Sequence, residues 1–150
     1  MLVYYINLER RADSRDGFLK VNSDIASFER FNAVDGKLLQ QDALIAEGIV
    51  GEPLKHYTPP RLGSALSHKG LWDQCIADGV MTTIAEDDAV FNRHFSQKAA
   101  ELLAKLPPDW DIVRWGWNFD SILDVAVIPN HLKSTVMSFF PRRSARRATK

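Results

Sequence analysis

Short apolar runs alternate with helix-period segments along this chain, and that alternation constrains the fold more than any other feature. Leu2–Leu8 is rich in β-branched and aromatic residues, the mark of a buried strand. Charged residues follow at once, and a short helix is expected over about Asp13–Val21. Ser27–Val34 reads as a second strand closed by the turn pair Asp35-Gly36. Gln40–Glu47 is weakly helical, and Gly48–Pro60, with two glycines and three prolines, reads as a loop. In Arg61–Asp78, the residues Leu62, Ala65, Trp72, Cys75 and Ile76 share one arc at about 100° per residue. Gly79 follows as a helix-ending glycine. Val80–Ala85 is nearly all apolar, as a strand covered on both faces would be. Asn92 can cap a further helix with Phe95, Ala99, Leu102, Leu103 and Leu106 at helical spacing, stopped by Pro107-Pro108. Asp111–Trp115 reads as a strand and Val125–Ile128 as a weaker one.

The order is strand, helix, strand, helix, strand, helix, strand. It implies an α/β layered fold whose sheet is mainly parallel, with helices on both faces. Ligands of such sheets bind at the carboxyl ends of strands. Three polar segments sit at such ends: Asn7-Leu8-Glu9-Arg10-Arg11, Glu86-Asp87-Asp88 and Trp115-Gly116-Trp117-Asn118. They are expected to converge on one crevice.

Composition narrows the function. At 150 residues, 45% hydrophobic and 25% charged, the chain can bury a core. Nineteen basic residues balance 19 acidic ones, which gives no support to nucleic-acid binding. Five of the basic residues (Arg142, Arg143, Arg146, Arg147, Lys150) fall in the last nine positions, so the body is mildly acidic and 142–150 is a basic tail. That tail is expected to be disordered, with weak contact to a membrane surface as its other possible use. The single cysteine, Cys75, excludes an internal disulfide and a Cys-rich metal site. The opening segment lacks the basic flank of a signal peptide, and no 18-residue apolar stretch occurs, so the expected location is the cytoplasm.

Glu86-Asp87-Asp88 is the first chemical candidate. Adjacent carboxylates repel unless water or a cation screens them. If extended geometry persists past the strand, Glu86 and Asp88 share a face and offer hard oxygens suited to Mg²⁺ or Mn²⁺. Two protein ligands leave room for diphosphate oxygens on the same ion; the alternative is a solvated acidic turn. Arg10, Arg11 and Arg15 suit diphosphate through fork-shaped hydrogen bonds, or else belong to a solvated helix start with Glu9, Asp13 and Asp16. His68 lies in the apolar arc of its helix, either as a core histidine bonded to backbone or as a donor to substrate from a helix lining the cleft. Ser67 and His68 are helix neighbours and point about 100° apart, so they do not form a nucleophile–base pair. Trp115, Trp117 and Phe119 offer flat faces for a sugar or simply pack, with Asn118 and Asp120 as polar additions. No Gly-x-Gly-x-x-Gly and no Gly-x-x-x-x-Gly-Lys-Ser/Thr loop occurs, which counts against dinucleotide and P-loop sites.

Five blocks, in order across residues 2–116, resemble glycosyltransferase family 25. They are Val3-Tyr4-Tyr5-Ile6-Asn7-Leu8-Glu9-Arg10-Arg11 with Arg15; Phe31-Asn32-Ala33-Val34-Asp35-Gly36; Leu62-Gly63-Ser64-Ala65-Leu66-Ser67-His68 with Trp72; Ile84-Ala85-Glu86-Asp87-Asp88-Ala89-Val90-Phe91; and Trp110-Asp111-Ile112-Val113. The family includes bacterial lipopolysaccharide galactosyltransferases and collagen hydroxylysine galactosyltransferases. Ser64 stands where the bacterial pattern usually has Cys, Arg114-Trp115-Gly116 replaces a Leu-Gly step, and members usually continue well beyond 150 residues.

The resemblance implies a GT-A-like fold over 1–141, incomplete at its C-terminal end. It implies transfer of a hexose, galactose above all, from a UDP-sugar to a hydroxyl of a lipopolysaccharide-type glycan or glycolipid acceptor, with inversion and with Mn²⁺ or Mg²⁺. On this footing Asp88 and then Glu86 are the metal ligands, and Asn7, Arg10, Arg15, Asp87 and His68 form the donor site. No catalytic base is named; Asp120 is conceivable. The location becomes cytoplasmic, or peripheral at the inner membrane. Two alternatives stand beside this: an inactive remnant that still binds nucleotide sugar, and a Mg²⁺-dependent phosphoryl-transfer enzyme using the same acidic cluster.

Overall fold

The computed structural model describes residues 1–51 and 56–116, together with the backbone of two later strands, 123–128 and 132–136. The chain divides into two units, Met1–Lys105 and Leu106–Lys150. In the first unit, strands β1 (Leu2–Asn7), β2 (Ser27–Asn32) and β3 (Thr83–Glu86) form a parallel sheet in the order β2-β1-β3. Between them run α1 (Ala12–Asn22), a 3-10 turn at Gly36–Leu38, α2 (Gln41–Ala46) and α3 (Pro59–Asp78); α4 (Phe95–Leu103) follows β3. In the second unit, β4 (Leu123–Ile128) and β5 (Leu132–Val136) pair antiparallel, with an irregularity between Ala126 and Ile128.

Register decides what each face of the sheet carries, because in-register neighbours point the same way. Val3 pairs with Phe28 and Thr83, and Tyr5 with Arg30 and Ala85, on one face. There Val3, Tyr5 and Ala85 form the core with Phe18 of α1, and Phe28, Phe91 and Phe95 pack around them. The Phe18 ring stacks on Tyr5 at 4.7 Å between centroids and meets Phe28 edge-on at 5.0 Å. Offset and edge-on pairs of this kind add about 0.5–1.5 kcal/mol each beyond the area they bury. Tyr4 and Ile6 point to the other face beside Ile84, Phe31 and Glu86. There α3 lies close: Gln74 Nε2 donates to the Tyr4 hydroxyl at 3.3 Å. Helices therefore cover both faces of a parallel sheet, the GT-A-like arrangement expected.

The inward stripe of α3 differs from the expected arc. Leu62, Gly63, Ser67 and Leu71 are buried, whereas Ala65 is exposed, Cys75 is half-buried, and Trp72 and Ile76 are 51% and 79% exposed. Small residues explain the difference. A Cβ on Gly63 would stand 2.5 Å from the Val34 carbonyl oxygen, and one on Gly70 would stand 3.0 Å from the Phe31 ring. The helix approaches through its smallest side chains, which a hydrophobicity count passes over.

Three boundaries also move. The strand expected from Val80 begins at Thr83, because the chain leaves α3 through left-handed Gly79 (φ 63°) and needs three residues to reach register with Val3. Val80 and Met81 are exposed. The helix expected from Arg61 starts at Pro59, where proline's fixed φ suits a first turn. Residues 111–115, expected as a strand, are irregular, while β5 was not anticipated. The tail 142–150 and Trp117, Asn118, Phe119 and Asp120 lie outside the described residues.

Candidate functional site

A cavity of about 200 Å³ opens at the carboxyl ends of the strands. Its wall comes from four places: Ile6, Leu8, Arg10 and Arg11 at and beyond the end of β1; Ala33–Lys37 after β2; Pro60, Ser64 and Ser67 of α3; and Glu86 and Asp87 at the end of β3. Two glycines allow these segments to meet. A Cβ on Gly36 would overlap the Pro59 carbonyl, and one on Gly63 would press on the backbone of Val34 and Gly36. Ser67 fastens the same junction. Its hydroxyl is fully buried, donates to the Gly63 carbonyl at 2.7 Å and accepts from the Val34 amide at 2.9 Å. That structural duty occupies the serine of the Ser67-His68 pair.

The acidic cluster does not stay extended. The ladder ends at Glu86, and Asp87 and Asp88 form a turn closed by the Ala89 amide on the Glu86 carbonyl at 3.1 Å. The condition for a shared face of Glu86 and Asp88 is therefore not met. Glu86 stays on the α3 side of the sheet, where Ser64 Oγ donates to Oε1 at 3.3 Å and His68 Nε2 sits 3.3 Å from the same oxygen. His68 is thus a partner of a site carboxylate, not a core histidine bonded to backbone. Its hydrogen bond holds the Glu86 carboxyl below the ordinary glutamate range, against the opposing effect of burial; the His68 charge and the Ser64 hydroxyl add to it.

Asp87 turns toward the end of β1. Its Oδ2 accepts from Asn7 Nδ2 at 2.6 Å, and the same amide nitrogen donates to the Arg11 carbonyl at 3.0 Å. Two acceptors fix the orientation of the Asn7 amide, since a flipped oxygen would face both. Asn7 Oδ1 is left buried with no hydrogen-bond partner among the described residues. An unmatched buried acceptor costs about 1–3 kcal/mol until something donates to it. Asp88 is exposed, makes no described hydrogen bond and does not border the cavity.

The basic side chains divide. Arg10 Nε donates to Asp35 Oδ2 at 2.9 Å, which raises the guanidinium further and lowers Asp35. Arg11 forks onto Asp13 at 3.1 and 3.3 Å at the start of α1. Arg15 pairs with Asp16 at 3.0 Å on α1 and is not part of the cavity wall. Asp35, Lys37 and Ser64 were not singled out as site residues by the sequence reading. The usable signal for the first two was their position just after the second strand, a third carboxyl end.

Whether a divalent cation fits can be judged from this donor set. Glu86 and Asp87 are hard oxygen donors on one cavity, and Asn7 leaves a carbonyl oxygen unmatched beside Asp87. Among the described residues no three His, Cys, Asp or Glu side chains converge as a ready-made cage. Mg²⁺-type sites that share their ion with substrate phosphates use only one or two protein carboxylates, so the donor set suits that use.

Comparison with known proteins follows the same segments. The family model described as glycosyltransferase family 25 (LPS biosynthesis protein) matches residues 1–146. The chain is 32% identical over 130 residues to procollagen galactosyltransferase 1 of Danio rerio, covering 76% of this chain and 21% of that protein. It is 30% identical over 125 residues to a glycosyltransferase 25 family member of Drosophila melanogaster, covering 76% and 20%. It is also 27% identical over 128 residues to inactive glycosyltransferase 25 family member 3 of Homo sapiens, covering 76% and 21%. The chain thus spans about a fifth of the length of the curated relatives it matches. No solved structure matches it. With a family match along nearly its whole length, and four of the five family blocks lining one cavity at the end of a parallel sheet, this chain belongs to glycosyltransferase family 25.

Proposed function

We propose that the strand-end cavity binds a UDP-hexose, UDP-galactose in the first place, and presents the hexose for transfer to a hydroxyl of a lipopolysaccharide-type glycan or glycolipid acceptor. The observation that carries this is the meeting of Arg10, Asp35, Glu86 and Asp87 around one cavity. Arg10, Arg11 and Lys37 bring positive charge to a diphosphate. Asp35 and Asp87, which line the cavity, are acceptors for ribose or sugar hydroxyls, and Asn7, buried behind the wall, serves the donor site by orienting Asp87. His68 holds Glu86 ionised and oriented. Glu86 and Asp88 are the proposed ligands of a Mn²⁺ or Mg²⁺ ion; they do not share a face in the turn 86–88, so this use requires the exposed Asp88, which has no described intramolecular partner, to swing toward the cavity that Glu86 and Asp87 line. A bound ion neutralises charge building on the departing diphosphate. Attack by the acceptor hydroxyl proceeds with inversion and needs a base. Reaction is proposed on the cytoplasmic side, at or near a membrane carrying the acceptor.

Calorimetry tests this with UDP-galactose, with and without Mn²⁺, on the wild type and on Asp88→Ala. Binding is expected to need the ion and to be lost in the variant. Equal affinity in all four conditions removes the metal assignment. The similarity to a relative described as inactive favours one second reading, donor binding without turnover. A folded sample that binds the donor yet neither hydrolyses nor transfers it supports that second reading.

A further inference from the structure

Asn22 lies at the end of α1, outside every family block in sequence, and is fully buried. Its side chain makes three hydrogen bonds. Nδ2 donates to the Phe18 carbonyl at 2.9 Å and to the Ala89 carbonyl at 3.0 Å, and Oδ1 accepts from the Phe91 amide at 2.9 Å. The last two grip the backbone directly beyond Glu86-Asp87-Asp88. That segment belongs to no helix or strand, so these are bonds a regular ladder would otherwise supply. Beside them the Phe91 ring meets Phe18, Phe28 and Phe95 edge-on, at 6.3, 5.5 and 4.7 Å between centroids. The acidic turn is thus held before Glu86 by the β1–β3 ladder, at Asp87 by Asn7, and beyond Asp88 by the Asn22 carboxamide together with the packed Phe91 ring.

We infer that Asn22 is a positioning residue, the latch that fixes the acidic turn 86–88 in place for its ligand. The inference rests on the proposed use of that turn. Only an amide serves here, because the two backbone partners are an acceptor and a donor two residues apart. Aspartate keeps the acceptor for Phe91 but presents no N–H to Ala89. Leucine keeps the volume and loses every bond. Partners bonded directly to a metal ligand change metal affinity about 10- to 100-fold when removed; Asn22 acts one step further out, on the backbone that carries the carboxylates, so the effect expected is at the lower end, about 10-fold.

The test compares wild type, Asn22→Leu, Asn22→Asp and a control, Ser96→Ala. The control removes a different tertiary hydrogen bond, from Ser96 Oγ to the Ile25 carbonyl at 2.6 Å, which does not touch the turn. Amide hydrogen exchange and Mn²⁺ affinity in the presence of UDP are both measured on the folded proteins. Faster exchange over 86–91 is expected in both Asn22 variants and not in Ser96→Ala, with Mn²⁺ binding weakened about 10-fold. If Asn22→Leu does not fold, Asn22→Asp still gives both readouts. Unchanged exchange over 86–91 in a folded Asn22 variant overturns the inference, and so does Mn²⁺ binding weakened equally in Ser96→Ala. A wild type that binds no Mn²⁺, with exchange over 86–91 still raised in the variants, supports the latch and removes the cation instead.

Discussion

His68 and Glu86 hold each other where the sheet ends, and the pair has a pH signature. Glu86 titrates below its ordinary value in the folded chain, chiefly through the hydrogen bond from His68. A lowered carboxyl value contributes stability that is complete above the unfolded-state value and fades as pH falls through the folded one. Thermal unfolding of wild type and His68→Ala between about pH 6 and pH 3 is therefore expected to show a gap in melting temperature that closes on the acid side. A gap of constant width would remove the pairing. At this scale the sequence was readable where a residue type is tied to a chemistry. The carboxylates of 86–88 and Arg10 were identifiable because charge must be compensated. His68 is ambiguous in sequence because the apolar arc of α3 is not the stripe the helix buries. Asn22 was invisible, since a buried asparagine is recognisable only by partners 67 and 69 positions away.

At the scale of elements, α3 is positioned by what it lacks. Gly63, Ser64, Ser67 and Gly70 give it a face of minimal bulk, and the turn Val34–Gly36 presses into that face. Gly63→Ala is expected to destabilise the protein by about 1–3 kcal/mol, since the added carbon meets backbone atoms that cannot swing aside. Gly17→Ala, in the exposed middle of α1 with nothing within 4 Å, is expected to stabilise by about 0.4–1 kcal/mol. Denaturant unfolding of both variants measures the contrast; a neutral Gly63→Ala contradicts the close approach. Elements with one dominant period were legible from sequence: β1, β2, the length of α3 and its Gly79 stop. The start of β3 was not, because register with β1, not apolarity, decides where pairing begins. The irregular segment 111–115 shows the same limit, since β-branched and aromatic residues mark what a pleated surface would accept but not whether a partner strand lies alongside.

Across the whole chain, the alternation of strand and helix patterns dictated a parallel sheet, and the parallel sheet dictated which end would carry polar loops. That is why segments 25 to 80 positions apart, at Arg10, Asp35 and Asp87, come together around Asn7 and Glu86. The β4–β5 hairpin was only half legible, because Leu132–Val136 carries Lys133 and Ser134 and gives a weak strand signal. Among the described residues no helix is long and apolar enough to cross a membrane. The central claim is that a cation and a nucleoside diphosphate meet at the 86–88 turn. Paramagnetic broadening in ¹⁵N-labelled protein tests it most directly, with Mn²⁺ added alone and then with UDP. The account predicts that with both present the amides of Glu86–Ala89, Ser64 and Asp35–Lys37 broaden first, and that Asp88→Ala abolishes the effect. Broadening centred elsewhere, or the same broadening in Asp88→Ala, contradicts it.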